Sequence, residues 1–266
     1  MNDSAVAPPI PASTVLVLRD HDAGPQVLLL RRSPESSFAA HAYVFPGGAV
    51  DSADSDELLL RYAPQFDAAE AARRIGIDGE DAAAVSAAFH VAAIREVFEE
   101  AGVFIGRNGD GSGFNAREVA RLTIARDDLL HGASLLSVLQ SHALLLAPEL
   151  LVYSARFVTP AGQPRRFDTR FFATVAHSLQ EASMHDAEAT DGGWFRPRDV
   201  LEQTGTRPML LLPPTRIMCR KVAAHGSAAE AVAALGESPI DASEITIESV
   251  VRWAMDDHLA ETGSPQ

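Results

Sequence analysis

The chain of 266 residues has a single cysteine, Cys219, so no disulfide can close within it and a reducing compartment is expected. A lone thiol of this kind ordinarily behaves as a small buried hydrophobe. No uninterrupted apolar run reaches the ~18 residues of a membrane span, and residues 1–12 lack the basic start and apolar stretch of a secretory signal. A cytoplasmic protein away from membranes is expected. Positive charge is also scarce: 22 Lys and Arg stand against 36 Asp and Glu, for a formal charge of −14. Nucleic-acid polymers are gripped by concentrated Lys and Arg, so none is expected as partner. A small phosphorylated ligand stays open, because one cation and a local arginine cluster can outweigh the global field.

What remains is ordinary globular material, 47% hydrophobic and 22% charged, with ample core for one large domain or a domain with an extension. Residues 1–12, with three prolines, read as a loose arm. Residues 14–19 and 27–31 are strand-like around turn material at 20–25, and 42–45 is a short strand running into Phe45-Pro46-Gly47-Gly48. Short helices are expected at 57–63 and 68–75, split by Pro64. A long helix capped by Asp78 or Asp81 then runs to Ala101. A loop at 107–113 precedes amphipathic helices at 116–125 and 133–142. Strands at 150–159 and 166–176 form a hairpin, the second with Phe167, Thr169 and Phe171 alternating against Asp168 and Arg170. An acidic loop at 181–193 leads to Trp194-Phe195, and helices follow at 197–204, 215–224, 228–235 and 247–260. Strands, a long helix, a hairpin and closing helices imply an α/β class, an α/β/α sandwich around a mixed sheet.

The most informative stretch is 89–103. At helical spacing Glu96, Glu99 and Glu100 share a face, and Arg95 can pair with Glu99 four residues on. Like charges so placed repel by a few tenths of a kcal/mol, on the order seen in isolated helices, and a divalent cation relieves that. Mg²⁺ takes hard oxygen ligands together with waters and substrate phosphates. The opposite face, Val85, Phe89, Ala92, Ala93 and Val97, is apolar and packs against a sheet. Gly102 stops the helix.

With Phe45-Pro46-Gly47-Gly48 upstream, this stretch resembles the Nudix box: Gly, five residues, Glu, seven residues, then Arg-Glu-aliphatic-any-Glu-Glu-any-Gly-aliphatic. Residues 95–103 match every specified position of the second half. In the first half Gly48 matches, but Asp54 stands where the family has Glu, and 40 residues separate Asp54 from Arg95 where the family has seven. The box is therefore split by an insertion, at about 55–88. The resemblance implies the sandwich fold over 13–205, with 206–266 a C-terminal helical extension. A motif of coenzyme A-hydrolysing Nudix enzymes is echoed at Leu28-Leu29-Leu30-Arg31-Arg32-Ser33; Arg32 and Ser33 keep its register, while Leu30, Ser37 and His41 replace its Thr, second Arg and Gly. The split box, residues 27–34 and residues 165–169 are similar to the mammalian peroxisomal coenzyme A diphosphatase branch.

The resemblance implies Mg²⁺ or Mn²⁺ held by Glu96, Glu99 and Glu100 with the Gly48 backbone, and Arg95 orienting those carboxylates. Glu188, with Asp186 second, is the candidate for a further acid recruited from a loop. Arg32, Phe45, Arg165 and Arg166 are candidates for substrate binding, the last two as a phosphate grip or as mere hairpin decoration. Asp54 reads either as a supporting acid or as an ordinary loop aspartate; His41 and His90 read as structural or solvent-facing. The implied activity is hydrolysis of a nucleoside diphosphate-linked small molecule, foremost coenzyme A or acyl-coenzyme A. ADP-ribose, NADH or a related nucleotide is the alternative, and a non-catalytic nucleotide sensor the reading of another class. The only macromolecular partner allowed for is a second copy of the chain, as a homodimer.

Overall fold

The computed structural model describes residues 7–35, 40–163, 165–183, 189–202 and 209–242. A mixed sheet runs β10-β7-β8-β1-β2-β3, built from β1 (Ile10–Arg19), β2 (Gln26–Arg32), β3 (Tyr43–Val44), β7 (Val152–Val158), β8 (Phe167–Val175) and β10 (Ile240–Ala242). β4 (Gly47–Ala49) pairs with β1, and β9 (Ala189–Phe195) pairs with β2. β1 runs parallel to β8 over its whole length, from Ile10 opposite Phe167 to Leu18 opposite Val175. Its centre, Val15 to Leu18, is fully buried on both faces, as an unbroken Val/Leu run predicts for a covered sheet.

The long helix α2 (Ala82–Ala101) lies across one face. Ser86 through Ile94 are all buried, because the insertion wraps its outer side. That insertion comprises 3₁₀ turns at Ser52–Ser55 and Glu57–Tyr62, then α1 (Ala68–Arg74), which packs on α2. The short helix expected at 57–63 is present as a 3₁₀ helix at Glu57–Tyr62, with Pro64 closing the way to further turns. Val85, expected on the packed face, is 42% exposed in the first turns of α2. Asp81 is the N-cap residue, but its side chain makes no capping hydrogen bond. Beyond α2 come β5 (Gly106–Asn108), α3 (Ala116–Leu130), α4 (Leu135–His142) and β6 (Leu144–Leu146), with β5 and β6 forming a small second sheet. β5 claims part of what read as a loop at 107–113.

The other sheet face is covered by α6 (Pro213–Ala223) and α7 (Ala228–Glu237), preceded by α5 (Pro197–Glu202). Met218, Cys219 and Val222 of α6 and Ala231 and Leu235 of α7 pack on Leu16, Leu18, Leu29 and Phe171. Two apolar clusters thus flank one sheet, which is the α/β/α sandwich. Fully burying one Leu, Val or Phe side chain contributes about 1.5–3 kcal/mol, so neither layer is dispensable. Part of the acidic loop expected at 181–193 is the strand β9, which hydrogen-bonds to β2 from Val27–Phe195 to Arg32–Ala189. Its sequence, interrupted by Gly192-Gly193, carries no alternation to announce it. The helix expected at 247–260 lies outside the described residues.

Candidate functional site

The C-terminal turns of α2 end against the sheet at the Gly47-Gly48 turn. That turn is held in place by β4: Thr14 faces Gly47 and Ser13 faces Gly48 across the pairing, and Val15 N–H donates to the Pro46 carbonyl at 2.9 Å. Glycine is required here for space. A Cβ at Gly47 would come within 2.3 Å of the Ser13 carbonyl oxygen, and one at Gly48 within 2.3 Å of Glu96 Oε1. Gly47 N–H donates to Glu100 Oε2 at 2.8 Å, so backbone and helix are joined directly.

Arg95, with its side chain 15% exposed, organises the acids. Its Nε and Nη2 donate to the two oxygens of Asp54 at 2.8 and 2.9 Å, Nη1 donates to Glu96 Oε1 at 2.9 Å and Glu99 Oε2 at 3.0 Å, and Nη2 also reaches the Ala49 carbonyl at 3.1 Å. Burial pulls the guanidinium pKa down, but the Asp54 hydrogen bond and the charges of Glu96, Asp54 and Glu99 outweigh it, and the net direction is up. Asp54 is only 3% exposed and also accepts from Asp51 N–H at 2.8 Å in a reciprocal capping box. It is therefore no ordinary loop aspartate. Six positions beyond Gly48 in sequence, it meets Arg95 from the far side of the insertion.

The end of α2 has a second anchor. Gly102 takes the left-handed conformation, φ 68°, and its N–H donates to the Phe98 carbonyl. Arg126 of α3 donates through Nε and Nη2 to the Glu99 carbonyl at 3.0 and 2.7 Å and through Nη1 to Ser183 Oγ at 2.9 Å, while Ser183 N–H caps Ala101. A cation at a helix C-terminus also opposes the negative end of the helix dipole.

A cleft of about 460 Å³ opens over this corner, lined by Glu96 and Glu100, by Gly47 and Gly48, and by Arg31, Arg32 and Arg165. Of the three glutamates expected to hold a metal, Glu96 and Glu100 line the cleft, whereas Glu99 pairs with Arg95 and is not part of its wall. Among the described residues no group of three His, Cys, Asp or Glu side chains is gathered tightly enough to enclose a cation by itself. Arg32 and Arg165 both border the cleft, the latter with its guanidinium 5.1 Å from the Phe167 ring centroid. Arg166 does not line it: its Nε and Nη1 donate to the Thr159 and Ala7 carbonyls, at 2.9 Å each, and tie the hairpin to the segment just before β1. Phe45 is buried beside the turn, in the cluster on the α6 side. Glu188, Asp186 and Ser37 lie outside the described residues. His41, at a motif position that resembles glycine in other enzymes, has φ 65°, the region glycine adopts without penalty. His90 is buried between Phe66 and Phe172.

Sequence reasoning missed Arg31 as a lining residue and Arg126 as an anchor. Neither stands in a spacing pattern with α2; only the pairing of β2 and the packing of α3 bring them close.

Comparisons with known proteins identify the family and the fold. Residues 6–221 match the sequence pattern of the family described as NUDT19 Nudix domain. A curated relative from Homo sapiens, "Acyl-coenzyme A diphosphatase NUDT19", is 27% identical over 237 residues, covering 77% of this chain and 62% of its own. Its counterpart from Gallus gallus is 28% identical over 233 residues, covering 71% and 58%. The chain thus spans between half and two thirds of the length of the curated relatives it matches. The crystal structure of a NUDIX hydrolase from Alicyclobacillus acidocaldarius superposes with a TM-score of 0.63 at 30% identity, covering 88% of this chain and 99% of the other.

Proposed function

The chain belongs to the NUDT19 Nudix domain family, and from that membership we propose that it is a metal-dependent diphosphatase acting on coenzyme A or acyl-coenzyme A. The phosphoanhydride bond would be hydrolysed to adenosine 3′,5′-bisphosphate and (acyl-)phosphopantetheine. The observation that carries this reading is the meeting, in one cleft, of Glu96 and Glu100 with Arg32 and Arg165 over the Gly47-Gly48 turn. The names of the human and chicken relatives, both acyl-coenzyme A diphosphatases, support the choice of substrate.

The donor set fits Mg²⁺ or Mn²⁺: it is made of oxygens, and one or two carboxylates completed by waters and substrate phosphates is what Mg²⁺ takes. Glu96 and Glu100 would hold the ion beside the Gly48 backbone, with Glu99 in reserve through Arg95. Such an ion neutralises charge on the diphosphate oxygens and makes a bound water more acidic. The protein's own part is orientation. Arg95 fixes Glu96, the Gly47 N–H fixes Glu100, and Arg32 and Arg165 offer charge-assisted hydrogen bonds to phosphate.

The test is a mass-spectrometric product screen over coenzyme A, acyl-coenzyme A, NADH and ADP-ribose with Mg²⁺ or Mn²⁺. Coenzyme A species should yield the bisphosphate, chelation should stop turnover, and Glu100→Gln should lower kcat by roughly 10²–10⁴. Brisk hydrolysis of ADP-ribose or NADH alone would move the substrate. No metal-dependent turnover of any diphosphate would leave a nucleotide sensor.

A further inference from the structure

Behind the carboxylate cleft lies a second cavity of about 460 Å³, on the α6 side of the sheet. The two share Arg32, Val44, Gly47, Gly48, Arg165 and Phe167, so a ligand with its phosphates in the cleft can extend into the adjoining cavity. Its deeper walls are Phe157 and Phe171 from the hairpin and Leu212, Pro213 and Pro214 from the stretch that opens α6. That stretch is pinned to the edge strand, where Tyr43 N–H donates to the Leu210 carbonyl at 2.8 Å and Tyr43 bridges Leu211 in parallel.

We infer that this cavity receives the acyl-pantetheine arm of the substrate, with the C-terminal segment 212–215 as the wall that reads the acyl chain. The inference rests on the diphosphatase reading above and assigns the apolar half of that substrate. Charge decides which half enters. Among the described residues, the only charged side chains on the cavity wall are Arg32 and Arg165, both at the mouth shared with the cleft; deeper polar groups are the neutral Thr14, Thr159, Gln163, Thr169 and Thr215. The adenosine half carries a 3′-phosphate that would be stranded among phenylalanines and prolines, at the cost of desolvating an unpaired charge. The pantetheine arm is neutral, offers amides to hydroxyls and Gln163, and ends in a thioester chain that gains from apolar walls. The volume lies in the range of sites for ligands of that size.

The experiment measures binding by calorimetry of 4′-phosphopantetheine and of octanoyl-4′-phosphopantetheine, to the wild-type protein, to Leu212→Glu and to Leu212→Trp. It is paired with the hydrolysis rates of acetyl- and octanoyl-coenzyme A. Each methylene fully buried multiplies affinity by up to about fourfold, so the octanoyl form should bind wild type at least tenfold more tightly than the unacylated form. A charge or added bulk at Leu212 should bring that ratio close to one. Equal affinity of the two forms in wild type, or a preference that survives in both variants, would overturn the assignment. So would adenosine 3′,5′-bisphosphate, if it displaced the octanoyl form and itself bound more weakly to Leu212→Glu. Chain-length-dependent binding without hydrolysis of any coenzyme A would sink the diphosphatase reading and leave the pocket assignment standing. Hydrolysis with binding blind to chain length would do the reverse.

Discussion

The Arg95 guanidinium bonds three carboxylates, and of these only Asp54 comes from outside its own helix. Removing one partner of a buried ion pair strands the other, which typically costs about 3–5 kcal/mol. Glu96 and Glu99 remain to neutralise Arg95, so Asp54→Ala should fall at the low end, about 3 kcal/mol in urea unfolding. A loss below about 1 kcal/mol would mean that the helix acids satisfy Arg95 unaided. His90 makes a second prediction. It lies between two aromatic rings, its Nδ1–H donating to the Ser86 carbonyl at 2.7 Å, and burial pushes its pKa down to about 4 against that hydrogen bond. The folded protein therefore holds it neutral, while the unfolded chain takes up a proton near pH 6.5. Its contribution is fully present above pH 6.5 and is lost as pH falls toward 4. Between pH 7 and 5 this should cost about 2 kcal/mol, and the slope should flatten in His90→Gln. An unchanged slope in that variant would assign the acid sensitivity to other groups.

At the scale of elements, α2 is held at its end by a residue from another helix. Arg126 gives two hydrogen bonds to the Glu99 carbonyl and one to Ser183. Hydrogen bonds to a charged group are each worth about 1.5–3 kcal/mol, and a cap so buried should yield a loss in that range on Arg126→Ala. Melting curves check the magnitude, and Arg126→Lys should recover only part, because an ammonium cannot reproduce the guanidinium fork. Full stability in the alanine variant would show that Gly102 and Ser183 close the helix unaided. The elements differ in how far they could be read from residues. β1, β2, β7 and β8 announce themselves through apolar runs or alternation, and α2 through its acid spacing and Gly102. β4 and β9 do not: each is glycine-containing and becomes a strand only because β1 or β2 supplies the partner.

For the whole molecule, α6 and α7, both beyond residue 208, form the second helical layer of the sandwich. A chain ended there would expose Leu16, Leu18, Leu29 and Phe171, which α6 and α7 cover. It should collect in the insoluble fraction, and a soluble product with a single sharp melt would contradict the layered core. What residues alone determined was the helix with Arg95, Glu96, Glu99 and Glu100, the glycine turn and the sandwich class. These follow from local geometry: a spacing of three or four fixes a helix face, and a strand's period fixes a sheet face. Only the tertiary structure decided that Asp54 meets Arg95 across the 40 residues between them. It also kept Arg166 out of the cleft and made residues 212–215 a cavity wall. Those contacts depend on where the insertion returns and how the last helices close on the sheet, and no short-range spacing encodes that.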